Sequence, residues 1–247
     1  MERTLTFGGN KREPDIRMLF DMTDVIYDKK WLASADNFEL YYMYRNMSLS
    51  KKDKDTMSEY HLRYDITIIP PASLGCEFIK TAGHYHPLVP GESVTYPEIY
   101  EVLEGNATYL MQKLEGDNIT DVVVVRAEAG DKVIIPPSYG HITINESNKT
   151  LKMANWVGAE FSSEYGRYRQ AGGGAYFLTE AGFVPNPYHK ELPHIRYIKP
   201  TNFPEEGLYK GREMYGLVRD IGKLKYLTHP QEYGKLFDKC ISVGREV

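Results

Sequence analysis

Cysteine is scarce in this chain of 247 residues: Cys76 and Cys240 are its only two, far apart and outside any Cys-x-x-Cys spacing. That argues against a disulfide framework and fits a reducing, cytoplasmic setting. No apolar run approaches the ~20 residues that a membrane-spanning helix needs. The polar start MERTLTFGGNKREPD does not read as a secretory signal. A basic surplus is also missing, with 30 Lys and Arg against 34 Asp and Glu and a net charge of -4. The expectation is therefore a partner other than nucleic acid or a membrane surface. No repeat at solenoid or propeller spacing is present. Phenylalanine is sparse and tyrosine abundant, nine against 20, a balance that suits either a polar-lined barrel interior or an aromatic-rich surface.

What the chain does have, from about Leu40 to Val157, is a series of short β-rich segments broken by turn signals. FELYYMYR, YDITIIPP, CEFIKT, EIYEVLEG, ATYLMQK, DVVVVRA, KVIIPP and ITIN follow one another at close spacing. Such spacing argues for a mainly β sandwich or small barrel. Ahead of it, IRMLFDMTDVIYDKKWLAS suggests a short helix or an arm packed by Met18, Leu19, Phe20 and Trp31. After Pro185 the texture changes to a Pro-rich traverse and then a charged region with helices expected at about Glu213–Leu227 and Pro230–Cys240. The expected organisation is a β domain with an N-terminal arm over residues 1–186 and an appended segment, 187–247, packed on the barrel or across a dimer.

Three stretches carry chemistry. In His84-Tyr85-His86 an extended backbone would turn both imidazoles the same way, ~6–7 Å apart at Cα, as two neighbouring metal ligands require. Taken alone, the pattern fits two histidines on a solvated face equally well. Glu98, in TYPEIYEVL, shares a strand face with Tyr100 and Val102, an odd place for a solvated carboxylate, and strand pairing would bring it opposite the histidines. Glu101 and Glu104 read as surface acids. His141 follows a tight turn in GDKVIIPPSYGHITIN and alone reads as a structural histidine. Together the stretches supply three imidazoles and one carboxylate, a donor set for a divalent first-row metal with open positions: Fe, Mn, Zn or Ni. A structural zinc site would use thiolates instead.

His-x-His, a glutamate, and a glycine seven residues after it resemble the first motif of the cupin superfamily. Gly130-Asp131, Pro136, His141 and Asn145 resemble the second. Two departures stand out: the long gap from His86 to Glu98, and replacement of the motif glycine two after the proline. The fuller pattern is narrower. Thr81-x-Gly-His-Tyr-His-Pro, Tyr-Pro-Glu-Ile-Tyr and Pro-Pro-x-x-Gly-His-x-Thr-x-Asn are similar to the archaeal cupin-type glucose-6-phosphate isomerases, over about Asp15 to Phe183. That resemblance implies a cupin double-stranded β-helix, a homodimer, and one divalent ion per chain, Fe2+ first and Mn2+, Ni2+ or Zn2+ behind it. It places the metal on His84, His86, Glu98 and His141. Thr67, Thr81 and Gly83 fall at sugar-phosphate contacts, and Tyr100 and Tyr165 at active-site tyrosines. Where a family member carries a histidine two residues before the tyrosine of SSEYG, this chain has Ser163.

The implied reaction is aldose–ketose isomerisation between glucose 6-phosphate and fructose 6-phosphate. Glu98 is the expected base for the carbon-bound proton, and a hydride shift without a base is the competing route. Tyr100 would donate to a substrate oxygen. Phosphate donors are expected from Thr67, Thr81 and the backbone at Gly83, without Lys or Arg. Gly172-Gly173-Gly174 lacks the P-loop lysine and reads as a flexible loop near the barrel mouth. Two other classes fit the donor set, a cupin Fe(II) oxygenase and a metal-dependent sugar-phosphate-binding module without turnover. Thr-x-Gly before the histidines and the YPEIY segment favour the isomerase.

Overall fold

A computed structural model describes residues 3–242. The main strands are β1 (Asp15–Met18), β2 (Glu39–Tyr44), β3 (Leu62–Ile69), β4 (Glu98–Glu104), β5 (Asn106–Glu115), β6 (Asn118–Glu128), β7 (Lys132–Ile135), β8 (Tyr139–Ile144), β9 (Leu151–Gly158) and β10 (Ile195–Ile198). They form a six-stranded sheet, ordered β7-β4-β9-β3-β2-β1, and a four-stranded sheet, ordered β8-β5-β6-β10. All pairings within the two sheets are antiparallel except β6 with β10, which is parallel. The sheets face each other. Tyr109 on β5 packs against Tyr100 on β4, with ring centroids 5.3 Å apart and the planes tilted by 39°, and sends its hydroxyl to Met153 Sδ on β9 at 3.7 Å. This is the mainly β cupin barrel that the motifs implied.

The alternation of strand side chains divides two cores. On the six-stranded sheet Tyr100, Val102 and Met153 point into the barrel. Tyr64, Ile66, Ile99 and Trp156 point outward and join a second cluster with Phe203, Met214, Leu217 and Leu224. The C-terminal segment therefore covers the outer face of this sheet. Trp156 Nε1 donates to the Met214 carbonyl at 3.0 Å. Glu101 is not the surface acid that its position suggested: it is 2% exposed, accepts from the Met214 backbone N–H at 2.8 Å and pairs with Lys132 at 2.9 Å. It lies on the outward parity of β4, and that face is covered.

Local structure corrects or refines three further expectations. The Leu19–Val25 stretch is a 3-10 helix in which Leu19, Met22 and Val25 are buried. At three residues per turn those positions stack on one side, so Phe20 points away and is 51% exposed. The helix expected at about Glu213–Leu227 is present as 3-10 turns over Met214–Leu227, kinked at Asp220 (φ -136, ψ 50), and the one expected at about Pro230–Cys240 as a 3-10 turn, Pro230–Glu232, and an α-helix, Gly234–Ser242. Gly216 and Gly222 weaken the run that a continuous helix would need. The Gly172–Gly174 turn is packed: Asn186 Nδ2 donates to the carbonyls of Ala171 and Gly174 at 2.9 and 2.7 Å, and the neighbouring Ala175 N–H donates to Gln112 at 2.7 Å.

The N-terminal arm is anchored by buried charge. Lys80 pairs with Glu77, donates to the Val25 carbonyl at 2.8 Å and lies over the Phe177 ring, while Glu77 accepts from the Tyr27 N–H at 2.9 Å. Both ions are nearly fully buried and fully bonded, as buried charges must be. Cys76 and Cys240 are both free thiols.

Candidate metal centre and substrate cleft

His84 and His86 do not lie on a continuous strand. Gly83 takes a left-handed turn, φ +77, which breaks the extended run, and only isolated bridges follow, His84 to His141 and Tyr85 to Glu164. A Cβ at Gly83 would lie 2.8 Å from Ile142 and from Tyr168, so both the φ and the space favour glycine here. Both imidazoles still reach one site. Glu98 reaches it from the other sheet rather than from a paired strand: it belongs to β4, while His141 belongs to β8.

Four side-chain atoms converge. His84 Nε2 lies 3.1 Å from His86 Nε2, and Glu98 Oε2 lies 4.0, 3.4 and 3.3 Å from the Nε2 atoms of His84, His86 and His141. Ligand atoms ~2.1 Å from a common ion stand about 3.0 Å apart at a right angle and about 3.4 Å at the tetrahedral angle. Three of the four spacings fall near these values, and the 4.0 Å from His84 to Glu98 is wider. Candidate ligand atoms of His84, Glu98 and His141 all lie within 4.8 Å of one another, a group that could hold a metal ion. His86 Nδ1 faces the Tyr96 carbonyl at 3.0 Å. A carbonyl only accepts, so that nitrogen carries the proton and Nε2 turns a lone pair to the site, the arrangement expected behind a ligating histidine. Among the described residues, buried Glu98 Oε2 has no hydrogen-bond partner. A buried carboxylate oxygen left so among three imidazoles fits a cation.

The electrostatics agree with neutral imidazoles at His84 and His86 beside an anion. Burial, then the neighbouring histidines, holds His84 well below its ordinary range. Burial pushes His86 down to about 4 against the pull of Glu98. Burial alone would raise the Glu98 carboxyl; the close approach of His141 and His86 and the charge of Arg63 outweigh it and hold the group below its ordinary value. The Tyr100 hydroxyl, 3.0 Å from His141 Nε2, is kept protonated by burial first and by Glu98 next.

A cleft opens at this cluster, and Thr67, Thr81, Gly83, Tyr100, Ser163 and Tyr165 all line it. Thr81 Oγ1 accepts from the Thr143 N–H at 3.0 Å and keeps its own proton to donate. Tyr165 is flanked by Arg17 and Arg169, 5.8 and 5.9 Å from its ring centroid. Four polar lining residues escaped sequence reasoning: Arg45, Arg63, Asp65 and Asn155. The cleft thus has arginines, where phosphate donors without Lys or Arg were expected. The only signal was parity, since Arg63 and Asp65 lie four and two residues before Thr67 on β3.

A sequence profile of the family described as Glucose-6-phosphate isomerase (GPI) matches residues 16–192, most of the chain and every residue of the cluster. The chain belongs to this family. The glucose-6-phosphate isomerase of Thermococcus litoralis is 26% identical over 170 residues, 68% of this chain and 82% of that protein. That of Pyrococcus abyssi is 27% identical over 178 residues, 71% and 87%. Among solved structures, a recombinant oxalate oxidase in complex with glycolate aligns at 16% identity and a TM-score of 0.31 over 42% of each chain. Against the family's motifs, the second motif's missing glycine leaves a conformational trace. Ser138, two after Pro136, keeps a left-handed φ of +69 and donates its N–H to Thr95 Oγ1 at 2.6 Å.

Proposed function

We propose that this chain is a metal-dependent isomerase interconverting glucose 6-phosphate and fructose 6-phosphate by proton transfer through an enediolate. The observation that carries the reading is the convergence of three histidine Nε2 atoms on Glu98 Oε2 within a cleft of this family. His84, His86, Glu98 and His141 would hold one divalent ion, with Fe2+ the first choice and Mn2+, Ni2+ or Zn2+ behind it. When bound, the ion supplies Lewis acidity to the oxygens on C1 and C2. Thr67, Thr81, Gly83 and Tyr165 take the phosphate end, using hydroxyl and backbone donors. Glu98 turns Oε2 to the histidines and leaves Oε1 to accept the proton from C2 and return it to C1. Tyr100, protonated and buried, donates to a substrate oxygen. The protein is expected to act as a cytoplasmic homodimer in sugar-phosphate metabolism, glycolysis or gluconeogenesis.

The test is turnover of fructose 6-phosphate by the purified chain, followed by oxidation of the glucose 6-phosphate formed. Activity should be lost on chelation and return with a divalent ion. His84→Ala and His141→Ala should each lose the metal and the activity while keeping a β-rich spectrum, because the apolar core is far larger than the site. Activity undiminished by EDTA in protein without bound metal would refute the reading.

A further inference from the structure

Arg63 sits beside the cluster and has no part in the chemistry set out above. On β3, Arg63, Asp65 and Thr67 share the inward face and line the cleft. The ladder fixes their places. Val157 on β9 pairs with Arg63 on one side and with Glu98 on the other, so Arg63 and Glu98 occupy one row. Asn155 likewise joins Asp65 and Tyr100 in the next row. Strands ~4.8 Å apart put the Arg63 and Glu98 Cα atoms about 10 Å from each other, within reach of an arginine side chain. Thr67 is four residues farther along β3, about 13 Å at ~3.3 Å per residue. A substrate with its phosphate at Thr67 and its reactive carbons at Glu98 therefore turns its C1–C2 end toward Arg63.

Asp65 holds this guanidinium without using it up. Arg63 Nε donates to Asp65 Oδ2 at 2.8 Å, and Asp65 Oδ1 accepts from the Asn46 N–H at 2.8 Å. Arg45 stands 3.5 Å from the same carboxylate. An arginine kept only to neutralise Asp65 would pair with it through two nitrogens. Among the described residues the bond from Nε to Asp65 is the hydrogen bond Arg63 makes, and Arg63 lines the cleft. A planar donor fork next to the place where charge develops, fixed in advance by a buried carboxylate, is what electrostatic stabilisation of a transition state needs.

We propose that Arg63, aimed by Asp65, binds the C1–C2 end of the sugar phosphate and stabilises the negative charge of the enediolate, an inference that rests on the isomerase reading above. When Glu98 takes the C2 proton, the C–H electron pair becomes the C1–C2 double bond and the carbonyl pair moves onto O1. Arg63 keeps all its protons and donates hydrogen bonds to the charge. In the collapse the O2 hydroxyl passes its proton to O1, the freed O2 pair forms the C2 carbonyl, the C1–C2 double-bond pair moves onto C1, and Glu98 returns the proton there.

The test compares two ligands on the metal-loaded protein by calorimetry: 5-phosphoarabinonate, whose planar carboxylate mimics the enediolate, and arabitol 5-phosphate, which has the same phosphate end but no anion at the other. Arg63→Met should weaken the first by about 10–100-fold, the worth of a charged hydrogen bond, leave the second within about twofold, and leave the metal content unchanged. Arg63→Lys should recover part of the loss, and turnover should fall more through kcat than through KM. Equal losses for both ligands, or no loss for the carboxylate, would overturn the role given to Arg63. A wild-type protein that binds neither ligand and does not isomerise would overturn the isomerase reading and this inference with it, so the two failures are distinguishable.

Discussion

The main chains of His84 and His141 bond each other twice: each N–H donates to the other's carbonyl, at 3.3 and 3.1 Å, and the two rings lie 4.4 Å apart by centroid. Two candidate ligands are thus fixed by backbone pairing before any ion is considered. β8 is in turn held in register on β5, with His141 opposite Met111. A slip of one residue would turn His141 out of the barrel. The histidine side of the site is therefore pre-organised by the sheet, and Glu98 closes it from the opposite sheet.

Pre-organisation of neutral imidazoles carries a pH signature. His86, pushed down to about 4 from an ordinary 6.5, and His84, held well below that value, take up protons in the unfolded chain before they do so in the folded one. Between the two values the unfolded state binds more protons, so the stability of the metal-free protein rises with pH through this window and is level above it. It should be on the order of 2 kcal/mol lower at pH 5 than at pH 7 from His86 alone, at ~1.4 kcal/mol per unit. Urea unfolding of chelated protein at the two pH values measures this; equal midpoints would contradict it.

The turn at Gly83 sets His84. Gly83→Ala would force a left-handed φ on an L-residue, at about 1–2 kcal/mol, and press a methyl onto Ile142 and Tyr168. Thermal melting should show that loss or more, and metal affinity should fall because His84 moves. Ser138→Gly is the reverse case. The position already holds φ +69, so glycine there should be tolerated, with stability unchanged or higher by up to about 1 kcal/mol. A destabilised Ser138→Gly protein would show that the hydroxyl, not the backbone, matters at this turn.

The first and second histidine motifs, the glutamate and the β-barrel were legible because they rest on local spacing: i to i+2 parity, turn residues, and short strands at regular intervals. What escaped depended on what covers a surface. Glu101 reads as solvated until residues far along the chain fold over it, and Lys80 and Glu77 likewise give no hint of burial. Arg63 and Asp65 alternate with Tyr64 and Ile66 as charges on a half-buried strand would, and nothing local says that the polar face is the inner one. Phe20 was misplaced because the segment adopts three residues per turn, which changes the face that it presents. His84-Tyr85-His86 reached the site without a strand because a single glycine redirects the chain.

The outer face offers a test that leaves the cleft alone. Lys132→Met would strand Glu101 as a buried, unpaired carboxylate, at about 3–5 kcal/mol, or roughly 10 °C in melting temperature for a chain of this size. KM should stay near the wild-type value, since Glu101 lies on the face away from the substrate. Ending the chain at Asn186 should cost more, because Ile99 and Trp156 would lose their cover. A truncated protein with an unchanged melting temperature would show the C-terminal segment to be dispensable.

The most direct measurement is isomerisation in heavy water by metal-saturated wild-type protein and by Glu98→Gln. The account predicts that the wild type converts fructose 6-phosphate to glucose 6-phosphate with some deuterium at the transferred position, because a protonated carboxylate exchanges with solvent before it returns its proton. It predicts that Glu98→Gln, whose amide cannot take up that proton at neutral pH, loses about 10²–10⁴ in turnover at full metal occupancy. A Gln variant that turns over near the wild-type rate, with no deuterium entering the product, would contradict the role of Glu98 as base and leave a hydride shift in its place.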